Sequence, residues 1–117
     1  MPDQVVLDRE KIQIPCGPMQ NVLDEFDIKH VDFMSLDVEM RELEVLKTID
    51  FARTRIDVIV METMWFLYPY DQSDGKNWKE LNEFLGENGF VMDESARIQK
   101  NHVWVHKESG YLTQKIS

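Results

Sequence analysis

The sequence has few of the residues from which covalent, metal-binding or nucleotide-binding frameworks are usually built. A single cysteine, Cys16, excludes an internal disulfide and a multi-cysteine zinc site. There are five glycines, and no two of them are separated by one residue. The G-x-G-x-x-G loop of dinucleotide-binding folds is therefore absent from this sequence. One free cysteine fits a protein of a reducing compartment.

Basic residues and long apolar runs are also scarce. The chain has 13 Lys and Arg against 22 Asp and Glu, a formal net charge of −9. Nucleic acids and anionic membranes need a basic patch, so we expect neither as a partner. No apolar run approaches the ~18 residues of a membrane helix, and the N-terminal segment lacks the basic and apolar regions of a signal peptide. We expect a soluble, cytoplasmic protein.

The sequence does have enough apolar side chains for one packed core. Of its 117 residues, 43% are hydrophobic, including six Phe and three Trp. A chain of this length forms one domain at most. We divide it into a short charged segment, 1–10, a folded domain, 11–106, and a polar tail, 107–117.

The centre of the sequence predicts a strand, a helix and a second strand. Residues 31–36 form a short, mainly apolar run that includes the β-branched Val31 and the aromatic Phe33, which is typical of a buried strand. Apolar residues then recur every third position, as in a core-facing helix: Met40, Leu43, Leu46 and Ile49. Residues 56–61 form a second β-branched run, predicted to be buried on both faces. Such a unit places its two strands in parallel, with a right-handed crossover.

Weaker patterns flank this unit. We predict a short strand at 11–15 and a helix that begins at Pro18. Its apolar stripe is expected to face the core: Met19, Val22, Leu23 and Phe26. An aromatic loop, 63–75, is followed by a third helix, predicted from the apolar stripe of Trp78, Leu81 and Leu85. Two closing strands are predicted at 90–93 and 102–106. In the last strand, His102, Trp104 and His106 should share one face.

The stretch SLDVEMRELEVL, residues 35–46, resembles the D-x-E-G-x-E signature and leucine-rich helix of the FkbM family of S-adenosylmethionine-dependent methyltransferases. The flanking stretches IPCGPMQNVLDEFDIKHVDF and KTIDFARTRIDVIVMET also resemble this domain, so the resemblance covers about residues 11–106. Met40 and Arg41 stand where the family usually has Gly and a small residue. The resemblance implies an α/β, Rossmann-like methyltransferase fold, here partial, with a mainly parallel sheet and a C-terminal antiparallel strand.

Three carboxylates are expected at the carboxyl ends of the two central strands, where ligands of open α/β sheets bind. They are Asp37, Glu39 and Glu62. The resemblance implies that Asp37 lies near the reacting methyl group, as a catalytic and cofactor-binding candidate. Glu39 and Glu62 would act as hydrogen-bond acceptors or as a general base toward a small-molecule or glycan-like hydroxyl substrate.

Other interpretations of these carboxylates stay open. The same three residues could hold Mg²⁺ or Mn²⁺ for phosphate chemistry, and Glu39 could simply favour the positive end of the helix. The three histidines, His30, His102 and His106, are interpreted as structural or surface residues, so no metal site is predicted from them.

The resemblance also implies that S-adenosylmethionine is held mainly by the first half of the full fold, through a glycine-rich loop. Because that loop is missing, we expect the C-terminal part of such a domain, with weak activity or none by itself. The outer side of the 31–36 strand would then be an unpaired apolar edge through which the chain self-associates. The alternative is a non-catalytic interaction module that uses this edge or the aromatic loop.

Overall fold

A computed structural model describes residues 10–67, 69–96 and 100–112. In chain order its helices and strands are α1 (Met19–Glu25), β1 (His30–Leu36), α2 (Glu42–Leu46), β2 (Arg55–Glu62), α3 (Lys76–Glu87), β3 (Phe90–Met92) and β4 (Asn101–His106). Short 3-10 turns occupy Met64–Phe66 and Glu94–Ala96. Within these ranges, no helix combines the length and the apolar character that crossing a bilayer requires.

The four strands form one mixed sheet in the order β1-β2-β4-β3. β1 and β2 are parallel, as the strand–helix–strand pattern predicted. β4 lies between β2 and β3 and is antiparallel to both. The α/β class is thus confirmed, but the mainly parallel sheet is not: β4 inserts between two strands that run the other way, so one neighbouring pair is parallel and two are antiparallel.

One face of the sheet packs against α3. Trp104 of β4 lies opposite Ile59 of β2 and is 1% exposed. Its ring and the ring of His102 contact Trp78 of α3, at centroid distances of 6.0 and 5.2 Å. Leu81 and Leu85 of the same helix are fully buried. The predicted stripe of α3 and the shared face of β4 are both confirmed.

The N-terminal predictions are wrong in two places. Residues 10–18 form no strand, and only two of the four stripe residues of α1 face the core, Leu23, which is buried, and Met19, which packs against the buried cluster. Val22 and Phe26 are exposed, while Gln20 is buried beside Leu23. The reason is polar anchoring: the Gln20 amide donates to Thr54 Oγ1 at 3.1 Å, and its carbonyl accepts from the Asp50 N–H at 2.8 Å.

The central unit is confirmed in order but not in burial. β2, predicted to be buried on both faces, is fully buried at Ile56, Ile59 and Met61, whereas Val58 and Val60 are half-buried. β1, predicted to be buried, lies at the edge of the sheet, and only Leu36 is buried along it. The helix predicted from the apolar repeat of Met40 to Ile49 is shorter in the structure. It comprises only the five residues of α2, because the residues before it form a tight turn.

Candidate functional site

The candidate site lies where β1 and β2 end side by side. Leu36, the last residue of β1, pairs with Met61 in the parallel ladder, so Asp37, which follows β1, lies at the level of Glu62, the last residue of β2. Neighbouring strands are ~4.8 Å apart. The backbone therefore brings these two predicted residues together, and Glu39 follows two positions later.

A tight turn, Val38–Arg41, connects β1 to α2. The Arg41 N–H donates to the Val38 carbonyl at 3.2 Å, and the two central residues have positive φ, 46° for Glu39 and 78° for Met40. Positive φ at both central positions is the pattern of a type I′ turn, which favours Asn and Gly. A side chain costs roughly 1 kcal/mol or more in this conformation, so a glycine would suit the position of Met40.

The three predicted carboxylates differ in their surroundings. Asp37 and Glu39 are exposed, so they are accessible to a ligand in solvent. Glu62 is half-buried and pairs with Asn101 of β4. A cleft of about 330 Å³ begins at Met40 and runs between α2 and α3. Its lining includes none of the three carboxylates and consists of Met40, Leu43, Glu44, Lys47, Phe66, Asn77 and Glu80.

Glu42, the first residue of α2, is the residue of this site that sequence reasoning missed. It is 0% exposed, and its Oε2 accepts the N–H of Val38 at 2.8 Å. Its Oε1 is buried and has no hydrogen-bond partner in the part of the chain that the structure describes. Glu42 thus ties the acidic turn to the helix behind it. The available signal was the last acid of the D-x-E-G-x-E pattern, which falls on Glu42.

A second polar cluster lies at the opposite, amino-terminal end of the same strands. Asp57 is 5% exposed; His30 Nε2 lies 2.7 Å from one of its oxygens, and Arg55 Nε donates to the other at 3.0 Å. His30, Asp32 and Asp57 have potential metal-ligand atoms within 4.8 Å of one another. Because Arg55 already neutralises Asp57, the cluster is explained as an ion-pair network.

The ion-pair network makes stability depend on pH. Burial by itself raises the pKa of Asp57, but hydrogen bonds and charges from His30 and Arg55 outweigh it, so the pKa lies below its ordinary value, about 3.9. A lowered pKa in the folded state stabilises the fold above about pH 4, and this contribution is lost as the pH falls through the folded-state pKa.

We therefore expect Asp57→Asn to be less stable than the wild type at neutral pH, and the gap in melting temperature to narrow as the pH falls below about 4. Thermal unfolding followed by circular dichroism across this range measures the gap. Asp32→Asn, an exposed neighbour on β1, is the control and should change little. A gap that stays constant with pH would contradict the assignment.

A similar network anchors the start of α3. The Asp71 carboxylate accepts three hydrogen bonds, from the Ser73 hydroxyl at 2.7 Å, from the Gly75 N–H at 3.2 Å and from the Asn77 side-chain amide at 3.0 Å. The Ser73 hydroxyl contributes most to a pKa of Asp71 below its ordinary value, against the effect of burial. These bonds order the end of the aromatic loop next to the cleft.

The comparison with known families decides the class. The family model of the methyltransferase FkbM domain matches residues 5–92, which is most of the chain. This chain belongs to the FkbM methyltransferase family. No curated protein and no solved structure matches it. The matched residues include the acidic turn and Glu62, so the FkbM resemblance of the sequence is confirmed.

The described residues of this FkbM chain do not form a cradle for S-adenosylmethionine. The ribose hydroxyls of S-adenosylmethionine could donate hydrogen bonds to exposed carboxylates such as Asp37. A nucleotide-type cofactor also needs close backbone approach at a strand-to-helix turn, which glycine allows. The sequence has no G-x-G loop for this purpose, and in the Val38–Arg41 turn Met40 carries a side chain at positive φ. We therefore assign no cofactor-dependent step to these residues.

Proposed function

We propose that this chain supplies the acceptor-side part of an S-adenosylmethionine-dependent methyltransferase domain that methylates a hydroxyl oxygen of a small-molecule or glycan-like substrate. The observation that carries the proposal is the acidic turn. Asp37 and Glu39 follow β1 at the level of Glu62, at the carboxyl ends of a parallel pair, within the residues that the FkbM family model matches.

The proposed chemistry rests on the exposed carboxylates. Asp37 accepts a hydrogen bond from the acceptor hydroxyl and holds its oxygen in line for methyl transfer. Glu39 or Glu62 accepts a second hydrogen bond or the released proton, as a general base.

The strand order supports a Rossmann-like assignment of this part. The parallel strands β1 and β2 are followed by a hairpin whose last strand, β4, lies between β2 and β3. This order resembles the second half of a methyltransferase sheet, strands four and five with the closing hairpin. In this proposal the cofactor depends on a strand and glycine-rich loop that these 117 residues do not contain. The chain then corresponds to the C-terminal part of the domain.

A non-catalytic interaction module is the second candidate, and Met40 favours it. Its side chain occupies the turn position where the family usually has glycine, and it would crowd the approach of a ligand. In this alternative the fold is retained, and the exposed edge or the aromatic loop binds a partner.

Two measurements test the proposed function. First, the in-frame coding sequence upstream of Met1 is read from the transcript, and S-adenosylhomocysteine is titrated calorimetrically into the 117-residue chain and into any longer product. A longer product with a strand and glycine-rich loop should bind in the micromolar range, and the 117-residue chain much more weakly. No binding by any product would refute the enzyme and support the module.

Second, transfer of labelled methyl groups to hydroxyl acceptors is measured with the binding-competent product. Replacing a positioned acid or base typically costs about 10²-fold or more in rate, so Asp37→Asn should fall by that factor. Asp32→Asn changes an exposed aspartate of the same strand, away from its carboxyl end, and should keep the full rate. An unchanged rate in Asp37→Asn would remove Asp37 from the proposal.

A further inference from the structure

The outer edge of β1 is open within the ranges that the structure describes. β1 is the first strand of the sheet order, and no described residue pairs with its outer side. The Arg55 N–H donates to the Lys29 carbonyl at 2.9 Å. This bond shows which residues of β1 direct their backbone N–H and C=O groups toward β2 and which direct them outward. Lys29, Val31, Phe33 and Ser35 direct their backbone groups toward β2, while His30, Asp32, Met34 and Leu36 direct theirs outward.

The side chains of this edge favour association. Phe33 is 60% exposed in the middle of the strand, and its neighbour across the ladder, Val58, is half-buried. An extended edge with an exposed aromatic residue and free backbone groups is a template for another strand. Strands of the same sequence satisfy each other when they meet about a twofold axis.

We propose that β1 pairs with β1 of a second copy of this chain, antiparallel, about a twofold axis at Phe33. The outward-directed backbone N–H and C=O groups of one copy must lie opposite those of the other, and few registers of the two strands satisfy this condition. Centring the axis on Asp32 would place it against its own copy, and like charges directly opposite repel. Centring it on Phe33 pairs Asp32 with Met34 of the other copy through hydrogen bonds and stacks the two phenyl rings in a close, non-hydrogen-bonded pair.

Charge complementarity supports the same register. Four residues before Phe33 lies Lys29, and four residues after it lies Asp37. Antiparallel pairing at Phe33 sets Lys29 of each copy against Asp37 of the other, so two ion pairs form and no like charges oppose. Both side chains are available, since Lys29 is 79% exposed, with only a loose contact of 3.7 Å to Asp27, and Asp37 is exposed.

Sedimentation equilibrium of the 117-residue chain with a charge swap tests this register. The wild type should dimerise. Lys29→Glu and Asp37→Lys should each weaken the dimer about tenfold, because each turns two attractive pairs into repulsive ones. The double variant should recover most of the affinity, since the pairs are only reversed. A monomer at all concentrations, or a double variant as weak as the singles, would overturn the proposal.

Cross-linking tests the axis independently. In a Cys16→Ser background, Phe33→Cys brings two cysteines to the twofold axis, with Cα atoms about 4.5 Å apart, within disulfide range. Oxidation with diamide should give a covalent dimer. Ser35→Cys is the matched control: it lies on the same strand face but opposes Val31 of the other copy, so it should cross-link much more slowly. Equal cross-linking of both variants would mean non-specific aggregation and would exclude the dimer.

Discussion

Glu42→Ala should lower the free energy of unfolding by about 2–3 kcal/mol. The substitution removes the side-chain acceptor of the Val38 N–H, so this hydrogen bond of the turn is lost. It also leaves a cavity in place of a fully buried side chain. Loss of the unpaired Oε1 offsets part of this cost, because a buried oxygen without a partner is itself unfavourable. The lost hydrogen bond and the cavity outweigh that gain.

Two matched variants separate the causes. Glu42→Gln keeps the volume and the oxygen that accepts from Val38, so it should cost less than about 1 kcal/mol. Met40→Gly, in the same turn, should stabilise by about 1 kcal/mol, because glycine adopts a φ of 78° without strain. Urea unfolding of all three variants gives the free energies.

Hydrogen exchange at Val38 reports directly on the contact. The Val38 amide should be protected in the wild type and in Glu42→Gln and should exchange faster in Glu42→Ala. If Glu42→Ala unfolds within about 0.5 kcal/mol of the wild type, the carboxylate does not hold the turn. Asp37 and Glu39 would then be positioned by the backbone alone.

The sequence predicted best those elements whose pattern and burial agree. β2 has β-branched residues on both faces and lies between two strands, and α3 has one apolar stripe that meets Trp104. The local periodicity in these elements fixes both the type of the element and its environment. Their residues would be buried in almost any arrangement of this chain.

β1 and α1 show why the rest could not be predicted. The residues of β1 are as apolar as those of a central strand, and nothing within 31–36 says whether another strand covers its outer side. In α1 the apolar residues Val22 and Phe26 predicted one buried face. Instead Gln20 is held against the core, because its amide donates to Thr54 and its carbonyl accepts from the Asp50 N–H. Such hydrogen bonds join residues that are distant in sequence, and local hydrophobic periodicity carries no information about them.

The sequence predicted where along the strands the candidate site lies, but not which side chains hold it in place. The rule that parallel strands end at one edge placed Asp37 beside Glu62. The buried position of Glu42 was hidden, because an acidic residue at the start of a helix usually faces solvent, where it favours the helix dipole. Only contact with Val38 across the turn makes it a structural residue.

Trp104→Ala should have the largest effect on stability, about 3–5 kcal/mol. Trp104 is 1% exposed, contacts Trp78, and donates its indole N–H to Asn82 at 3.1 Å. Truncation removes the largest fully buried side chain of the core and leaves the Asn82 oxygen without this donor. Thermal and urea unfolding followed by far-ultraviolet circular dichroism measure the loss without depending on the tryptophan signal.

Phe26→Ala is the matched control, because it also truncates an aromatic side chain but at 67% exposure. Its cost should stay within about 0.5 kcal/mol, the range of surface substitutions. The helical stripe of the sequence predicted the opposite, a core position for Phe26. A cost of 2 kcal/mol or more would therefore support the core position of Phe26 that the sequence predicted, and a small cost would confirm that Phe26 lies at the surface. If Trp104→Ala leaves too little folded protein to measure, Trp104→Phe keeps most of the ring contact and should fall between the two.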